Sequence, residues 1–312
     1  MFYQESLLMK HIFVLDAFHP AGITLLSKKA RVTNWRDPEV GQWVDKADAV
    51  LVRMTPINRD QIFSAKRLQA IGKQGVGVDT IDINAAAQRG VRVFTTPGIN
   101  SEAVAEMAFS LGLAVCRRIA RFDRLLRSGV PIVRPEHLGI EMQGKTVGII
   151  GMGNIGTRVA QKWIGAFNCK ILTYDPLAPA DAWHNMEHVR IDKLDKLLPQ
   201  IDLLTLHLPL TDESHHLISS KELFVMKSNA VLVNVSRGGI VDEKALYEAL
   251  KAGHLFGVGL DVFEQEPFKA DNPLAEFENV VFTPHAAAGT HETQERSSLQ
   301  VARQVLQALN LD

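Results

Sequence analysis

The chain has 312 residues, 46% of them hydrophobic and 22% charged, the proportions of a packed globular protein and not of a disordered one. Its 34 Lys and Arg stand against 35 Asp and Glu, a formal net charge of −1, which excludes a broadly basic nucleic-acid surface as the default reading. Two cysteines, Cys116 and Cys169, are too few for a disulfide framework or a cysteine-based zinc site, and no apolar stretch approaches the ~18 residues of a membrane span. No metal site and no membrane contact are therefore expected, and a reducing cytoplasm is the simplest compartment.

At ~150 residues per domain the length suggests two domains. Residues 1–10 carry Glu5 among early apolar residues and no small-residue cleavage pattern, so no signal peptide is read there. Met9-Lys10 directly precedes the first strand-like run; residues 1–8 read as an extension, and either Met1 or Met9 serves as the start. Residues 11–15 form that first strand candidate, ending at Asp16 and a Pro-Ala-Gly turn. Further apolar runs follow at 49–52, 68–71 and 91–94, separated by segments of helical length, the rhythm of βα units around a parallel sheet. Asn100 and Ser101 are candidate caps of a long helix whose stripe runs through Val104, Met107, Ala108, Leu111, Val115, Ile119, Phe122 and Leu126. Residues 127–144, with Gly129, Pro131, Pro135 and Gly139, read as an irregular connector. From Lys145 the rhythm restarts, with strands expected at 147–150, 170–174, 202–206, 231–235, 258–261 and 280–283. A helix is expected between Asp242 and Gly253, and a last one over about 291–309.

Gly151-Met152-Gly153-Asn154-Ile155-Gly156 follows the strand at 147–150 and opens a helix, and the next strand ends at Tyr174-Asp175. Gly-x-Gly-x-x-Gly is weak alone, but this setting is that of a dinucleotide site. Gly151 permits the turn, Gly153 lets the backbone approach a pyrophosphate at the helix N-terminus, and Gly156 allows close helix–strand packing. Asp175 then accepts hydrogen bonds from an adenosine ribose and repels a 2′-phosphate. No Arg or Lys occurs in residues 175–181, so NAD is expected over NADP. A second loop, Gly75-Val76-Gly77-Val78-Asp79, has two open readings: a nest of N–H groups for a carboxylate, or a plain turn with Asp79 capping the next helix.

Three polar residues follow late strands: Arg237 in Asn234-Val235-Ser236-Arg237, Glu266 in the run from Asp261 to Pro267, and His285 in Thr283-Pro284-His285. Ligands of open α/β sheets lie beyond the strands' carboxyl ends, so the three can converge. Arg binds a carboxylate with two prongs, His moves a proton near neutral pH, and Glu orients the imidazole and favours its protonated form. Beside a nicotinamide these groups suffice to reduce a 2-oxo acid.

These residues resemble the D-isomer-specific 2-hydroxyacid dehydrogenase family, in particular its 3-phosphoglycerate dehydrogenase and hydroxypyruvate reductase branch. The resemblance covers almost the whole chain. It runs through Phe18 to Gly22, Gly75 to Asp79, Asn100 to Glu106, the 151–156 loop, Leu206 to Thr211, Asn234 to Gly239, Asp261 to Pro267 and Thr283 to His285. It implies two doubly wound α/β domains: a Rossmann NAD-binding domain over 99–286 inserted into a flavodoxin-like substrate domain of 1–98 and 287–312. It makes His285 the acid/base, Glu266 its partner and Arg237 the carboxylate anchor. The cofactor positions it implies are Gly151, Gly153, Asn154, Ile155, Gly156, Asp175, His207, Pro209, Thr211, Val235, Ser236, Arg237, Asp261 (to the nicotinamide amide), His285, Ala287 and Ala288. Val76, Gly77 and Asn100 match substrate-binding positions, and the long helix from Asn100 with its connector matches the family's homodimer contact.

Formate dehydrogenases of this fold usually carry Gln where Glu266 stands, which argues against formate. Arg53 matches a basic position that contacts the far end of phosphorylated substrates, and Arg134 is a second candidate cation, so an acid with a second anionic group, including 3-phosphoglycerate, is expected. Both arginines also read as solvated surface residues. Two departures stand against phosphoglycerate: a connector Trp is replaced near Pro131, and Thr55 stands where a second Arg can follow Arg53. Glyoxylate or hydroxypyruvate reduction is the alternative, and a non-catalytic NAD-sensing protein is the rival of another class. The end at residue 312 leaves no room for a serine-feedback regulatory domain, so no such feedback is expected.

Overall fold

The computed structural model describes residues 9–312. The expected extension over 1–8, and most of the segment read for a signal peptide, lie outside the described residues. Two compact units make up the chain: the described residues up to Asn100 together with Gly289–Asp312, and Ser101–Ala288. The limits expected from the sequence are 98/99 and 286/287.

The first unit runs β1 (His11–Val14), α1 (Pro20–Ser27), β2 (Arg31–Thr33), α2 (Trp43–Lys46), β3 (Ala49–Val52), α3 (Arg59–Ser64), β4 (Ala70–Lys73), α4 (Ile83–Gln88) and β5 (Arg92–Phe94). All its strands are parallel, in the order β2-β1-β3-β4-β5, which is the flavodoxin-like order. β1, β3 and β4 are buried at every position, because helices cover both faces of such a sheet; hence their near-continuous apolar runs. The Pro-Ala-Gly expected as a turn is instead the first turn of α1. Pro20 costs nothing where the N–H has no helical partner, and the His19 Nδ1 caps Ala21 N–H at 3.3 Å. α4 is capped by Asp82, which accepts from Ala85 N–H at 2.8 Å, and not by Asp79.

The second unit begins with α5 (Ser101–Cys116) and α6 (Ile119–Ser128). The one long helix expected here is two, because Arg118 takes a left-handed conformation (φ 54°). Its guanidinium stacks on Phe256 at 4.4 Å, and its Nε donates to the Leu138 carbonyl at 2.7 Å. The apolar stripe stays in helical phase across the break, so periodicity could not show it. Asn100 does not cap α5 through its side-chain oxygen, since Oδ1 is buried without a hydrogen-bond partner. Then follow β6 (Thr146–Ile150), α7 (Asn154–Phe167), β7 (Lys170–Tyr174), β8 (Val189–Arg190), α8 (Leu194–Leu197), β9 (Leu203–Leu206), α9 (Ser220–Val225), β10 (Val231–Asn234), α10 (Glu243–Lys251), β11 (Gly257–Leu260) and β12 (Val280–Phe282). α11 (His291–Ala308) returns the chain to the first unit, packing on the β4 side with Val301 and Val305 fully buried.

The second sheet is parallel throughout, in the order β12-β11-β10-β9-β6-β7-β8, so its strand order reverses between β6 and β9, as in a Rossmann sheet. Side chains alternate between two cores: Val147, Ile149, Leu203, Val231 and Val233 join Trp163 on one face, while Ile150, Leu204, Leu206 and Leu232 line the other. The register sets Ile150 level with Tyr174 and Leu206, Leu206 with Asn234, Asn234 with Leu260, and Leu260 with Phe282. β7, β6, β9, β10, β11 and β12 therefore end at one edge, where the loops that follow them meet.

Candidate active site

At this edge Gly151 has φ 81°, and a Cβ there would lie 2.5 Å from the His207 carbonyl oxygen. A Cβ on Gly156 would lie 2.4 Å from the Gly151 carbonyl and 3.2 Å from Ile149 Cγ2, so its absence lets α7 close on β6. Gly153, by contrast, faces open space, and α7 starts with no side-chain cap. Its first N–H groups, those of Asn154 and Ile155, thus stand ready for an anion, and the helix dipole adds to the attraction. Asp175, the first residue beyond β7, holds the loop's geometry: Oδ2 accepts from Met152 N–H at 3.0 Å and Oδ1 from Leu177 N–H at 3.3 Å. A carboxylate has further lone pairs for a ribose hydroxyl. Gly153, α7 and Asp175 together fit a dinucleotide.

Beyond β12, the His285 Nδ1 meets the Glu266 Oε2 at 2.7 Å. Glu266 Oε1 accepts from Phe263 N–H at 3.1 Å, which fixes the carboxylate's orientation. Burial works against the Glu266 charge, but the His285 hydrogen bond and charge, the Phe263 N–H and the Arg237 charge outweigh it, and its pKa lies below the ordinary carboxylate value. His285 itself sits at φ 50°, an unusual backbone state for a non-glycine residue. Asp261 imposes it: the Asp261 carbonyl accepts from His285 N–H at 2.7 Å, while its carboxylate accepts from Ala286 N–H at 2.8 Å, Ala287 N–H at 3.0 Å and the Thr283 hydroxyl at 2.6 Å. The Asp261 carboxylate, expected at the nicotinamide amide, is thus engaged in shaping the loop that carries His285.

Arg237 follows β10. Buried Asn234 organises its turn, donating to the Arg237 carbonyl at 2.9 Å and accepting from Ser236 N–H at 3.0 Å. The Ser236 hydroxyl bonds the Leu206 carbonyl and accepts from Leu208 N–H at 3.3 Å, tying this loop to the one after β9. Gly238 then passes so close to the next loop that a Cβ would fall 1.8 Å from the Phe263 carbonyl oxygen.

Of the other expected cofactor positions, Val235 is buried beside Ser236, Pro209 is exposed, and Thr211 sits in a turn closed by Ser214, with Thr211 N–H donating to Ser214 Oγ at 2.7 Å. Ala287 is buried and Ala288 half-buried. The His207 ring bonds the Thr205 hydroxyl at 2.9 Å with Nδ1 buried and unpartnered, and burial pushes its pKa down to about 3, so it stays neutral. In the first unit, the N–H groups of Val76 and Gly77 have no hydrogen-bond partner among the described residues, in a loop where Gly75 (φ 125°) is held by Thr96. Arg53 lies in a loop shaped by Asp16, whose carboxylate accepts from Arg53, Met54 and Thr55 N–H and from the Thr55 hydroxyl, at 2.6 to 3.1 Å. Arg134 is exposed in the connector of the second unit. Asn234 and Thr283 stand in motifs read from the sequence, and Asp16 closes the first strand candidate, but the sequence reading gives none of the three a role in shaping these loops.

His216, Asp242 and Glu264 bring ligand atoms within 4.8 Å of one another. Asp242, however, caps α10 and accepts from the Ser219 hydroxyl, and Glu264 accepts from Glu243 N–H, so both carboxylates already have structural partners. Burial pushes the Cys116 thiol up to about 12 and Cys169 to about 11, which removes both as nucleophiles.

The model of the D-isomer specific 2-hydroxyacid dehydrogenase NAD-binding domain matches residues 109–287, more than half of the chain. This chain belongs to the D-isomer-specific 2-hydroxyacid dehydrogenase family. The dehydrogenase is 40% identical over 305 residues to a D-3-phosphoglycerate dehydrogenase of Methanocaldococcus jannaschii, covering 96% of this chain but only 58% of that one. It is 39% identical over 308 residues to a glyoxylate reductase of Korarchaeum cryptofilum, covering 95% and 91%. Among solved structures it resembles the D-lactate dehydrogenase of Aquifex aeolicus, complexed with NAD and lactic acid, at a TM-score of 0.83 and 29% identity over 96% of each chain. The dehydrogenase is an NAD-dependent oxidoreductase, and NAD is the cofactor that its 151–156 loop and Asp175 fit.

Proposed function

We propose that the dehydrogenase reduces a small 2-oxo acid to the D-2-hydroxy acid, and that the His285–Glu266 pair does the proton chemistry. The 2.7 Å bond between His285 Nδ1 and Glu266 Oε2 carries this reading: it leaves Nε2 as the ring atom that hands a proton to the substrate's carbonyl oxygen. Bound NADH supplies the hydride. Glu266 stabilises the protonated ring, and Asp261 and Thr283 hold the loop on which the ring sits. Arg237 anchors the substrate carboxylate, and the N–H groups of Val76 and Gly77 are proposed as further donors to it. The diphosphate of the cofactor is assigned to Gly153, Asn154 and Ile155, and its adenosine ribose to Asp175.

For the substrate, Arg53 and Arg134 support an acid with a second anionic group, 3-phosphoglycerate among them; the phosphoglycerate dehydrogenases among the relatives agree with this. A second reading, glyoxylate or hydroxypyruvate reduction, is favoured by the relatives that this chain spans nearly end to end. A purely NAD-sensing role has no need of Arg237, Glu266 and His285 together. We also propose a homodimer through α5, α6 and the connector, because Ile119, Leu126 and Leu138 there are large, apolar and exposed. No helix among the described residues is long and apolar enough to cross a membrane, and a cytoplasmic location is proposed on the cysteine usage.

The deciding experiment is NADH oxidation with hydroxypyruvate, glyoxylate, pyruvate, 3-phosphohydroxypyruvate and 3-sulfopyruvate in parallel. A preference for the phospho or sulfo acid that disappears in Arg53→Ala supports the second-anion reading. Equal rates in Arg53→Ala remove it, and no oxidation with any of the five favours the sensor.

A further inference from the structure

β8 is only two residues long, yet it sets Arg190 beside Thr173, two residues before Asp175. From there the Arg190 guanidinium turns back over the loop after β7. Its Nη1 donates to the Pro179 carbonyl at 2.7 Å, and its Nη2 donates to the carbonyls of Asp175, at 2.9 Å, and of Ala178. The Cζ lies 5.2 Å over the Trp183 ring. One side chain thus gathers three carbonyls of the segment that begins at Asp175. No helix or strand occurs between β7 and β8, and Leu177 is 93% exposed. Apart from Arg190, the part nearest Asp175 is held by the Leu177 N–H bond to the Asp175 carboxylate and by turns closed by the Ala178 and Ala182 N–H groups, while Trp183 and Met186 pack on the core further along. Loops of this length without secondary structure sample several conformations unless specific contacts select one.

We propose that Arg190 is a positioning residue for Asp175 and, through it, sets the discrimination of the enzyme between NADH and NADPH. This rests on the assignment of the ribose to Asp175. The Asp175 carboxylate is fixed from one side by Met152 N–H and Leu177 N–H, and its own carbonyl is fixed from the other by Arg190. A ribose hydroxyl rewards a carboxylate only within a few tenths of an ångström of the right place. With Arg190 in place the loop is ordered before the cofactor arrives; without it, the ordering cost falls on binding. The staple depends on the planar, multi-donor fork of arginine, which the single ammonium of lysine does not reproduce. The absence of Arg or Lys in residues 175–181 is thus a local fact only. A cation does stand at the ribose end, but three of its five N–H donors are engaged by carbonyl oxygens of the loop, so we assign it to the selection of NADH and not to the binding of a 2′-phosphate.

The test is fluorescence titration of NADH and NADPH on the wild-type protein, Arg190→Ala, Arg190→Lys and Asp175→Ala, with hydrogen exchange of the Leu177, Ala178, Ala180, Asp181 and Ala182 amides measured without cofactor. We expect Arg190→Ala to weaken NADH about tenfold and NADPH less than about threefold, with faster exchange at those five amides. Arg190→Lys, the variant to rely on if the alanine protein folds poorly, is expected to show the same NADH loss in smaller measure. Unchanged NADH affinity and exchange in both Arg190 variants overturns the proposal. So does a larger loss for NADPH than for NADH, which would make Arg190 a phosphate ligand. Unchanged NADH affinity in Asp175→Ala would instead overturn the ribose assignment, and with it the selectivity claim, while the exchange data would still report whether Arg190 holds the loop.

Discussion

Gly238→Ala disturbs the loops that carry Arg237 and Glu266 without replacing either residue or His285. The new Cβ would stand 1.8 Å from the Phe263 carbonyl oxygen, 2.0 Å from its carbon and 2.6 Å from Glu264 N, all backbone atoms that no rotamer change can clear. A tolerable contact needs at least 3.0 Å, so one of two loops must move by about an ångström. Phe263 is the residue whose N–H orients Glu266, and its ring packs 4.6 Å from Phe268 and 5.9 Å from Phe282, which ends the strand leading to His285. The displacement therefore reaches either the Glu266–His285 bond, through Phe263, or the Arg237 side chain, through its own loop. A misplacement of this size costs on the order of 100-fold in turnover. Overpacking itself costs about 1–3 kcal/mol, a fall of several degrees in melting temperature. Steady-state NADH oxidation, NADH titration and thermal melting read the three quantities. We expect kcat/KM to fall about 100-fold and NADH affinity to fall much less, because α7 and Asp175 are untouched and only the Val235–Arg237 stretch of the expected cofactor positions adjoins the clash. A Gly238→Ala protein with kcat/KM within about threefold of wild type would show that the pair does not depend on this loop contact.

Glu266→Gln keeps an acceptor for Phe263 N–H but removes the charge beside His285. At partial exposure that charge is worth on the order of 1 kcal/mol, so turnover is expected to drop about fivefold to tenfold; unchanged turnover would count against the pair. Because the Glu266 pKa is depressed on folding, its contribution to stability is present above its ordinary value of 4.5 and is lost as pH falls below it, and urea unfolding of Glu266→Gln should show a weaker acid dependence there. His207 stays neutral in the folded chain down to about pH 3, whereas the unfolded chain protonates it below about pH 6.5. Stability should therefore fall by about 1.4 kcal/mol for each unit of pH between those limits, and His207→Phe should flatten that slope in denaturant titrations.

Much of the fold was legible because parallel strands covered on both faces need apolar residues at nearly every position. The runs at 147–150, 203–206 and 231–234 are of this kind, and the register that levels their ends follows from the sheet. Two of the short edge strands were not legible, Arg31–Thr33 and Val189–Arg190, which are partly exposed and carry no run, whereas the edge strands Arg92–Phe94 and Val280–Phe282 lie within apolar runs. Nor was the break at Arg118, where contacts with Phe256 and Leu138, distant in sequence, select a left-handed residue that no local signal requires. Arg237, Glu266 and His285 stood out because each follows a strand. The residues that shape loops did not, since Asp16 acts on the Arg53 loop of the first unit across 37 residues and Asp261 on Thr283 beside His285 across 22, and an Asp or Thr in a loop looks the same with or without such partners.

Whether His285 moves the proton is decided by His285→Ala, assayed for NADH oxidation with whichever 2-oxo acid the wild-type protein reduces fastest. We predict that turnover falls by a factor of about 10² to 10⁴, with NADH affinity within about threefold of wild type. Turnover close to the wild-type rate in that variant would mean that another group moves the proton.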